Sequence, residues 1–226
     1  EDAGMLVCYE GVAYFSAQSA DGATLTEQTK AVYRRYEALL KENGLRLENI
    51  LNGNIYCQDI TMQDEYEQQW IRWTYPGHKP AGTMVEGRPA DRRDLHALGL
   101  TFADSPEIAD VKRVKPAENC CRYVEYRKTA YFTGHVCLDA DAKDLYDHTK
   151  GVLRRFCKVF KEEYGLRMDR IISASAYISD IRQAPLFHKA WDEWFTPGTE
   201  PACSVIATRL LGDEFQIELA LIVADE

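Results

Sequence analysis

A few side chains in this sequence are suited to proton transfer. Glu218 lies in the apolar stretch FQIELAL, where loss of water around a carboxyl group raises its pKa toward neutrality. The alternative is an outward-facing strand carboxylate. His135 follows Thr133-Gly134, and His96 lies in DLHALGL. Each histidine is a candidate base or donor, with a structural hydrogen-bonding role as the alternative.

A cysteine in the stretch EPACSVIAT is a candidate nucleophile. Cys203 can act in this way only if a histidine or a helix N-terminus favours its thiolate, and otherwise it is a packing residue. The neighbouring Ser204 does not belong to a Gly-x-Ser-x-Gly motif, so the sequence gives no indication of a hydrolase triad.

The sequence repeats itself, and the repeat defines the elements that must position these residues. The matched pairs are AYFSAQ (13–18) with AYFTGH (130–135), ENGLRLENI (42–50) with EYGLRMDRI (163–171), and WIRWTYPGHKPA (70–81) with WDEWFTPGTEPA (191–202). From Gly44 to Ala81 the offset to the second copy is a constant 121 residues. This pattern predicts two copies of one module.

Each copy reads as strand, strand, helix, strand, helix and one or two closing strands. The first helix of each copy ends at a glycine, Gly44 or Gly165, and glycine is favoured at helix C-termini. The second helix of each copy carries a tryptophan pair. We therefore predict an α+β fold, a tandem β-β-α-β-α-β module with its helices on one face of a mixed sheet. The predicted domains are 1–104 and 120–226, and the polar, proline-containing segment 105–119 is the predicted linker.

Composition disfavours several partners. A net charge of −9 and a pI near 5.2 argue against nucleic-acid binding, and no apolar stretch approaches the roughly 20 residues that span a bilayer. The seven cysteines are odd in number and lack Cys-x-x-Cys spacing, which is typical of a reduced, cytoplasmic protein. The five histidines and the cysteines form no paired ligand cluster, so we expect no metal.

Several motifs together resemble the RidA (YjgF, reactive intermediate deaminase) family. They are the AYFSA/AYFTG strand, the helix ending in Gly-Leu, the Tyr-x-x-Asp-Ile stretch, and Pro-Ala before the next strand. The resemblance covers nearly the whole chain, twice. It implies a chorismate-mutase-like fold, a homo-oligomer with trimers favoured, ligand clefts between subunits, a small-molecule metabolite as partner, and no cofactor.

The resemblance also implies site residues. The family glutamate matches Glu218. His96 is its counterpart in the first copy if the turns of the two copies are allowed to differ in length by one residue. The first-strand pair matches Ser16-Ala17 in the first copy and Thr133-Gly134 in the second. We assign Thr133 and Gly134 to catalysis, together with the candidate nucleophile Cys203. The remaining expected contacts, all in substrate binding, are Ser16, Ala17, Gly82, His96, Tyr126 and His135.

The family arginine that clamps a substrate carboxylate is absent, because Gly82 and Cys203 follow the two Pro-Ala pairs. Neither residue reproduces a bidentate guanidinium grip. The resemblance implies a cofactor-free deaminase acting on a small imine or enamine, with an altered substrate. The alternatives are a non-catalytic ligand-binding or scaffolding member and, less favoured, a chorismatase-like enzyme.

Overall fold

The computed structural model describes residues 5–164 and 166–224. The chain divides into two compact units. Unit 1 comprises the residues up to Arg127 together with Tyr131–Thr133, and unit 2 comprises Lys128–Ala130 and the residues from Gly134 onward. The predicted α+β class with mixed sheets is confirmed.

Unit 1 contains the first copy of the repeat. Its elements are β1 (Leu6–Tyr9), β2 (Val12–Phe15), α1 (Leu25–Glu42), β3 (Ile50–Cys57), α2 (Gln63–Trp73), β4 (Ala81–Glu86) and β5 (His96–Ala103). They form a five-stranded sheet in the order β1-β2-β5-β3-β4. The β3–β4 pair is parallel, and the other strand pairs of this sheet are antiparallel. The sequence allowed one or two closing strands, and both β4 and β5 are present.

Unit 1 continues past the first copy into an antiparallel hairpin, β6 (Val111–Pro116) and β7 (Cys121–Tyr126). The segment 105–119 therefore holds a 3-10 turn at Ile108–Asp110 and the whole of β6, although its polar composition predicts a linker. The module boundaries proposed from the sequence stay a prediction.

Unit 2 contains most of the second copy. Its elements are β9 (His135–Val136), α3 (Leu145–Val159), β10 (Ile171–Ile178), α4 (Ala184–Trp194), β11 (Ala202–Ala207) and β12 (Ile217–Ala224), and β8 (Thr129–Phe132) has residues in both units. The order β11-β10-β12 repeats β4-β3-β5 of unit 1, and β9 pairs with β12. A π-helical turn at Phe160–Tyr164 extends α3.

Local chemistry explains the helix boundaries. The Thr24 hydroxyl accepts a hydrogen bond from the Glu27 amide and caps α1, while the Asp144 carboxylate caps α3 in the same way. Gly44 follows α1 with a φ of 68°, a left-handed conformation that glycine adopts without strain. Gly165, predicted to end the equivalent helix, lies outside the described residues.

In unit 1 the core lies between the helices and one sheet face. Along β3 and β5, more buried residues alternate with less buried ones, as a sheet covered on one side requires. Trp70 is buried, and Trp73 stacks on Tyr33 with ring centroids 4.2 Å apart. The equivalent Trp191 of unit 2 is also buried, whereas Trp73 and Trp194 are half-buried.

Candidate functional site

Unit 2 brings two of the predicted site residues together, Glu218 and Gly134. Glu218 lies on β12, half-buried between the fully buried Ile217 and Leu219. Its carboxyl group packs directly over Gly134, because a Cβ atom at Gly134 would lie 1.9 Å from Glu218 Oε1. Only glycine fits beneath this carboxyl group, so Gly134 makes its position possible.

Loss of solvent is the cause of an unusual titration at this position. Burial raises the pKa of the Glu218 carboxyl group from 4.5 to about 7. Within residues 5–164 and 166–224, Glu218 has no hydrogen bond or ion pair that would favour its charged form. Near neutral pH, both the protonated and the ionised forms are therefore populated, as acid–base catalysis requires.

Strand pairing identifies further residues on the same sheet face as Glu218. Tyr177 of β10 lies directly opposite Glu218, and Ser175 lies two residues earlier on the same face. The parallel register then adds Ser204 of β11, which lies beside Ser175. None of these three residues was predicted from the sequence to be a site residue. Period-two counting along SASAYI, starting from the partner of Glu218, would have found the first two.

Cys203 lies on the other face of this sheet. It pairs with Ala174, three residues from Tyr177 along β10, so its side chain points away from the Glu218 face. The cysteine is exposed, but surrounding protein still removes water from the sulfur and raises the pKa of the thiol to about 11. A thiol of this kind is a poor nucleophile at neutral pH, and the predicted catalytic role has no support from this environment.

The hydroxyl group of Thr133 is engaged within unit 1. It accepts a hydrogen bond from the Gly82 amide at 3.1 Å and donates one to the Cys121 carbonyl oxygen. The sequence assigns catalysis to Thr133 and substrate binding to Gly82. In the structure, these two residues fasten β4 to the start of β7, and the Thr133 hydroxyl has both backbone partners already.

His135 belongs to the helix-covered core of unit 2. It pairs with Leu219, the neighbour of Glu218, and its ring lies 4.6 Å from that of Phe156 in α3. Adjacent residues on a strand face opposite ways, so His135 and Glu218 lie on opposite faces of the sheet. The structure does not bring them together, and it favours the structural alternative for His135.

His96 is fully buried in unit 1, with its ring 5.3 Å from that of Tyr66 in α2. Burial lowers the pKa of its imidazole to about 4. Strand register also corrects its assignment as the counterpart of Glu218. Ala97 pairs with Tyr56 just as Glu218 pairs with Tyr177, 121 residues later. The assignment of His96 required a shift of one residue in the alignment, and this shift is wrong. Ala97 occupies the glutamate position of the first copy.

The remaining predicted contacts all lie in unit 1. Ser16 and Ala17 are exposed, and the Gln18 side-chain amide donates to the carbonyl and hydroxyl oxygens of Ser16. Tyr126 is buried, with the Arg127 guanidinium 5.3 Å from its ring centroid. The structure therefore leaves Ser16 and Ala17 accessible but not Tyr126.

Neither a metal-binding cluster nor a membrane-spanning helix is present in the described part of the chain. No group of three or more histidine, cysteine, aspartate or glutamate side chains lies close enough to hold a metal ion. Among the same residues, none of the helices has the length and apolar character needed to cross a membrane.

Comparison with known proteins gives the family of this chain. The family model described as Endoribonuclease L-PSP matches residues 111–225, half of the chain, and the chain belongs to this family. A RutC family protein of Haemophilus ducreyi is 30% identical over 99 residues, covering 44% of this chain and 83% of that protein. The RutC family protein YoaB of Escherichia coli is 28% identical over 102 residues, covering 45% and 86% respectively. The resemblance to the RidA family is confirmed.

A structural comparison covers both copies at once. The crystal structure of a chorismatase covers 97% of this chain and 79% of its own, with a TM-score of 0.68 and 10% sequence identity. This likeness shows a shared fold. Family membership supports a small-molecule deaminase-like or an endoribonuclease-family function for the chain.

Proposed function

We propose that this chain is a cofactor-free hydrolase of small imines or enamines, with Glu218 as its acid–base group. One observation carries the proposal: the half-buried carboxyl group of Glu218 packs over Gly134 with a pKa of about 7. A carboxyl group that exchanges protons near neutral pH is what hydration of a C=N bond needs.

The chemistry balances with water as the only co-reactant. The Glu218 carboxylate takes a proton from water while the water oxygen adds to the imine carbon, and it passes this proton to the imine nitrogen, giving a carbinolamine. Glu218 then takes the hydroxyl proton as the carbonyl forms and transfers it to the nitrogen as the C–N bond breaks. The products are a ketone or aldehyde and ammonia, and Glu218 ends in its initial form.

The proposed substrate does not depend on a carboxylate clamp. Glycine at position 82 and cysteine at position 203 cannot grip a carboxylate in the bidentate manner of an arginine. On the Glu218 face, Tyr177 and Val136 are paired directly with Glu218, and Ser175 lies two residues from Tyr177. An imine or enamine without an α-carboxylate suits this environment, because no anionic group of the substrate is left unpaired.

The test is ammonia release from freshly generated imines, with and without an α-carboxylate, measured above the spontaneous rate. Glu218→Gln keeps the shape of the side chain and removes its proton exchange, so we expect a loss of about 10²- to 10⁴-fold. The matched control is Glu214→Gln, which alters an exposed glutamate on the same chain and leaves the rate unchanged.

The pH profile gives a second readout. Because the carboxylate form acts as the base, kcat/KM falls as pH drops below about 7, and Glu218→Gln removes this limb.

Gly134→Ala displaces the carboxyl group and lowers activity, whereas Gly99→Ala is the control, since its Cβ atom would have no neighbour closer than 3.8 Å. If ammonia release from every imine stays at the spontaneous rate, the proposed hydrolase activity is ruled out.

A non-catalytic small-ligand-binding role is the second candidate. It is favoured by the missing arginine and by the Thr133 hydroxyl, which already has two backbone partners. Under this hypothesis, a carbonyl or imine analogue raises the melting temperature of the protein without turnover, and Glu218→Gln reduces that stabilisation.

A further inference from the structure

Two serine hydroxyl groups lie side by side on the Glu218 face of the sheet in unit 2. Ser175 of β10 pairs in parallel register with Ser204 of β11, so both side chains point to the same side of the sheet. Ser175 is half-buried and Ser204 is exposed, and neither hydroxyl group has a hydrogen-bond partner among the residues that the structure describes. Neighbouring strands lie about 4.8 Å apart, so one polar group above the sheet can contact both hydroxyl groups.

The carboxyl group of Glu218 lies in line with these hydroxyl groups. Ser175 pairs with Ala220 of β12. On the other side of β12, Glu218 pairs with Val136. Two residues further along this antiparallel register, Gly134 lies beside Ala220, and the Glu218 carboxyl group packs over Gly134. The carboxyl group, the Ala220 methyl group and the two serine hydroxyl groups therefore follow one another across the sheet.

The spacing of this row suits a small substrate. Gly134, beneath the carboxyl group, and Ser175 are two strand spacings apart, which is about 10 Å. An attacking water and an imine carbon above the small Ala220 side chain occupy the part of this span nearest the carboxyl group. A substituent one bond from the imine carbon then lies between Ser175 and Ser204.

Charge restricts the chemistry of that substituent. The strands β9, β10, β11 and β12 contain no lysine or arginine, and Glu218 is their only acidic residue. A substrate carboxylate would meet no cation on these strands, and the ionised form of Glu218 would repel it. A carboxamide has no charge, and its oxygen accepts while its nitrogen donates. Two hydroxyl groups, each able to donate or accept, match this pattern.

We propose that Ser175 and Ser204 form a carboxamide subsite, so that the substrate of this chain is a 2-imino carboxamide. The proposal rests on the proposed function, because that function places the C=N bond at Glu218. One hydroxyl group donates to the amide oxygen, and the other accepts from the amide nitrogen. Hydrolysis of such an imine gives ammonia and a 2-oxo carboxamide, for example pyruvamide.

Binding of pyruvamide tests the carboxamide subsite without requiring turnover. We expect isothermal titration calorimetry to give a dissociation constant for pyruvamide at least tenfold lower than that for pyruvate. Ser175→Thr and Ser204→Thr keep a hydroxyl group and retain this preference. Ser175→Val and Ser204→Val match the threonine variants in shape but lack the hydroxyl group, so each weakens pyruvamide binding about tenfold and leaves pyruvate binding unchanged.

A reversal of preference gives a second test. Ser204→Lys places a cation at an exposed position of the subsite, so we expect this variant to bind pyruvate more tightly than pyruvamide. Ser179→Ala is the control, because it removes the hydroxyl group of an exposed serine that follows β10 and leaves both affinities unchanged.

Ammonia release separates this proposal from the proposed function. We expect a higher kcat/KM for 2-iminopropanamide than for 2-iminopropanoate, and Ser175→Val removes the difference. Selective binding of pyruvamide without acceleration of any imine would support the carboxamide subsite and refute the hydrolase. If pyruvamide does not bind, binds no better than pyruvate, or binds equally to the valine and threonine variants, the subsite is wrong even where Glu218-dependent hydrolysis is observed.

Discussion

At the scale of single residues, environment separates side chains that the sequence treats alike. Glu218 and His96 both lie in apolar closing strands, and loss of water disfavours the charged form of each. Glu218 faces the side of the sheet away from the helices and keeps partial access to solvent, so its shifted pKa is available for chemistry. His96 faces the helices and is fully buried, so its shifted pKa affects stability instead.

His96 makes stability depend on pH in acid. Its pKa is about 4 in the folded chain and 6.5 as a reference value, so the unfolded chain binds this proton first as the pH falls. The resulting loss of unfolding free energy is absent above pH 6.5, grows as the pH drops, and reaches about 3 kcal/mol below pH 4. We expect His96→Leu to flatten the fall in unfolding free energy between pH 6.5 and 4, measured by urea denaturation.

The matched control for this measurement is His188→Leu, which removes an exposed histidine. The control retains the wild-type pH dependence. An equal fall with pH in His96→Leu and in the wild type would show that other groups cause acid destabilisation.

At the scale of elements, β6 shows how a segment with linker-like composition becomes structural. Arg113 of β6 donates to the carbonyl oxygens of Glu48, Ile50 and Lys79, and its guanidinium is partly desolvated, which lowers its pKa. These carbonyl groups lie at the starts of β3 and β4. The strand thus holds two elements of unit 1 in place through a single side chain.

Arg113→Met tests this role. It leaves the three carbonyl groups without their donor, so we expect a loss of about 3 kcal/mol in unfolding free energy. The neighbouring Lys112→Met removes an exposed ion pair with Glu125 and costs roughly 0.5 kcal/mol. Equal effects of the two substitutions on the denaturation midpoint would contradict the structural role of β6.

At the scale of the whole molecule, charge distinguishes the two functions that family membership supports. A chain with a net charge of −9 lacks the excess of cations that phosphate binding requires. We expect no shift in the anisotropy of labelled single-stranded RNA at physiological salt, and no cleavage of that RNA. A basic RNA-binding protein serves as the positive control. Salt-sensitive RNA binding would favour the endoribonuclease function over the proposed hydrolase.

Much of the fold could be predicted from the sequence, because the residue patterns that define each copy of the repeat are local. Paired tryptophans, glycine at the helix ends and strand alternation are read directly from neighbouring residues. The same patterns predicted that Glu218 lies on an apolar strand, and the family resemblance selected Glu218 and Gly134 separately as site residues. These features depend on residue types and short spacings, which the sequence contains in full.

The tertiary structure decided which face each candidate occupies and what each one contacts. A shift of one residue moves a side chain to the opposite face of a sheet, so the choice between His96 and Ala97 as the counterpart of Glu218 depended on strand register. The partners of Thr133 and Arg113 are distant in sequence, and no local pattern predicts them. The sequence by itself determined the duplicated module and its candidate carboxylate, whereas only packing decided which surfaces are covered, because burial depends on neighbours from other parts of the chain.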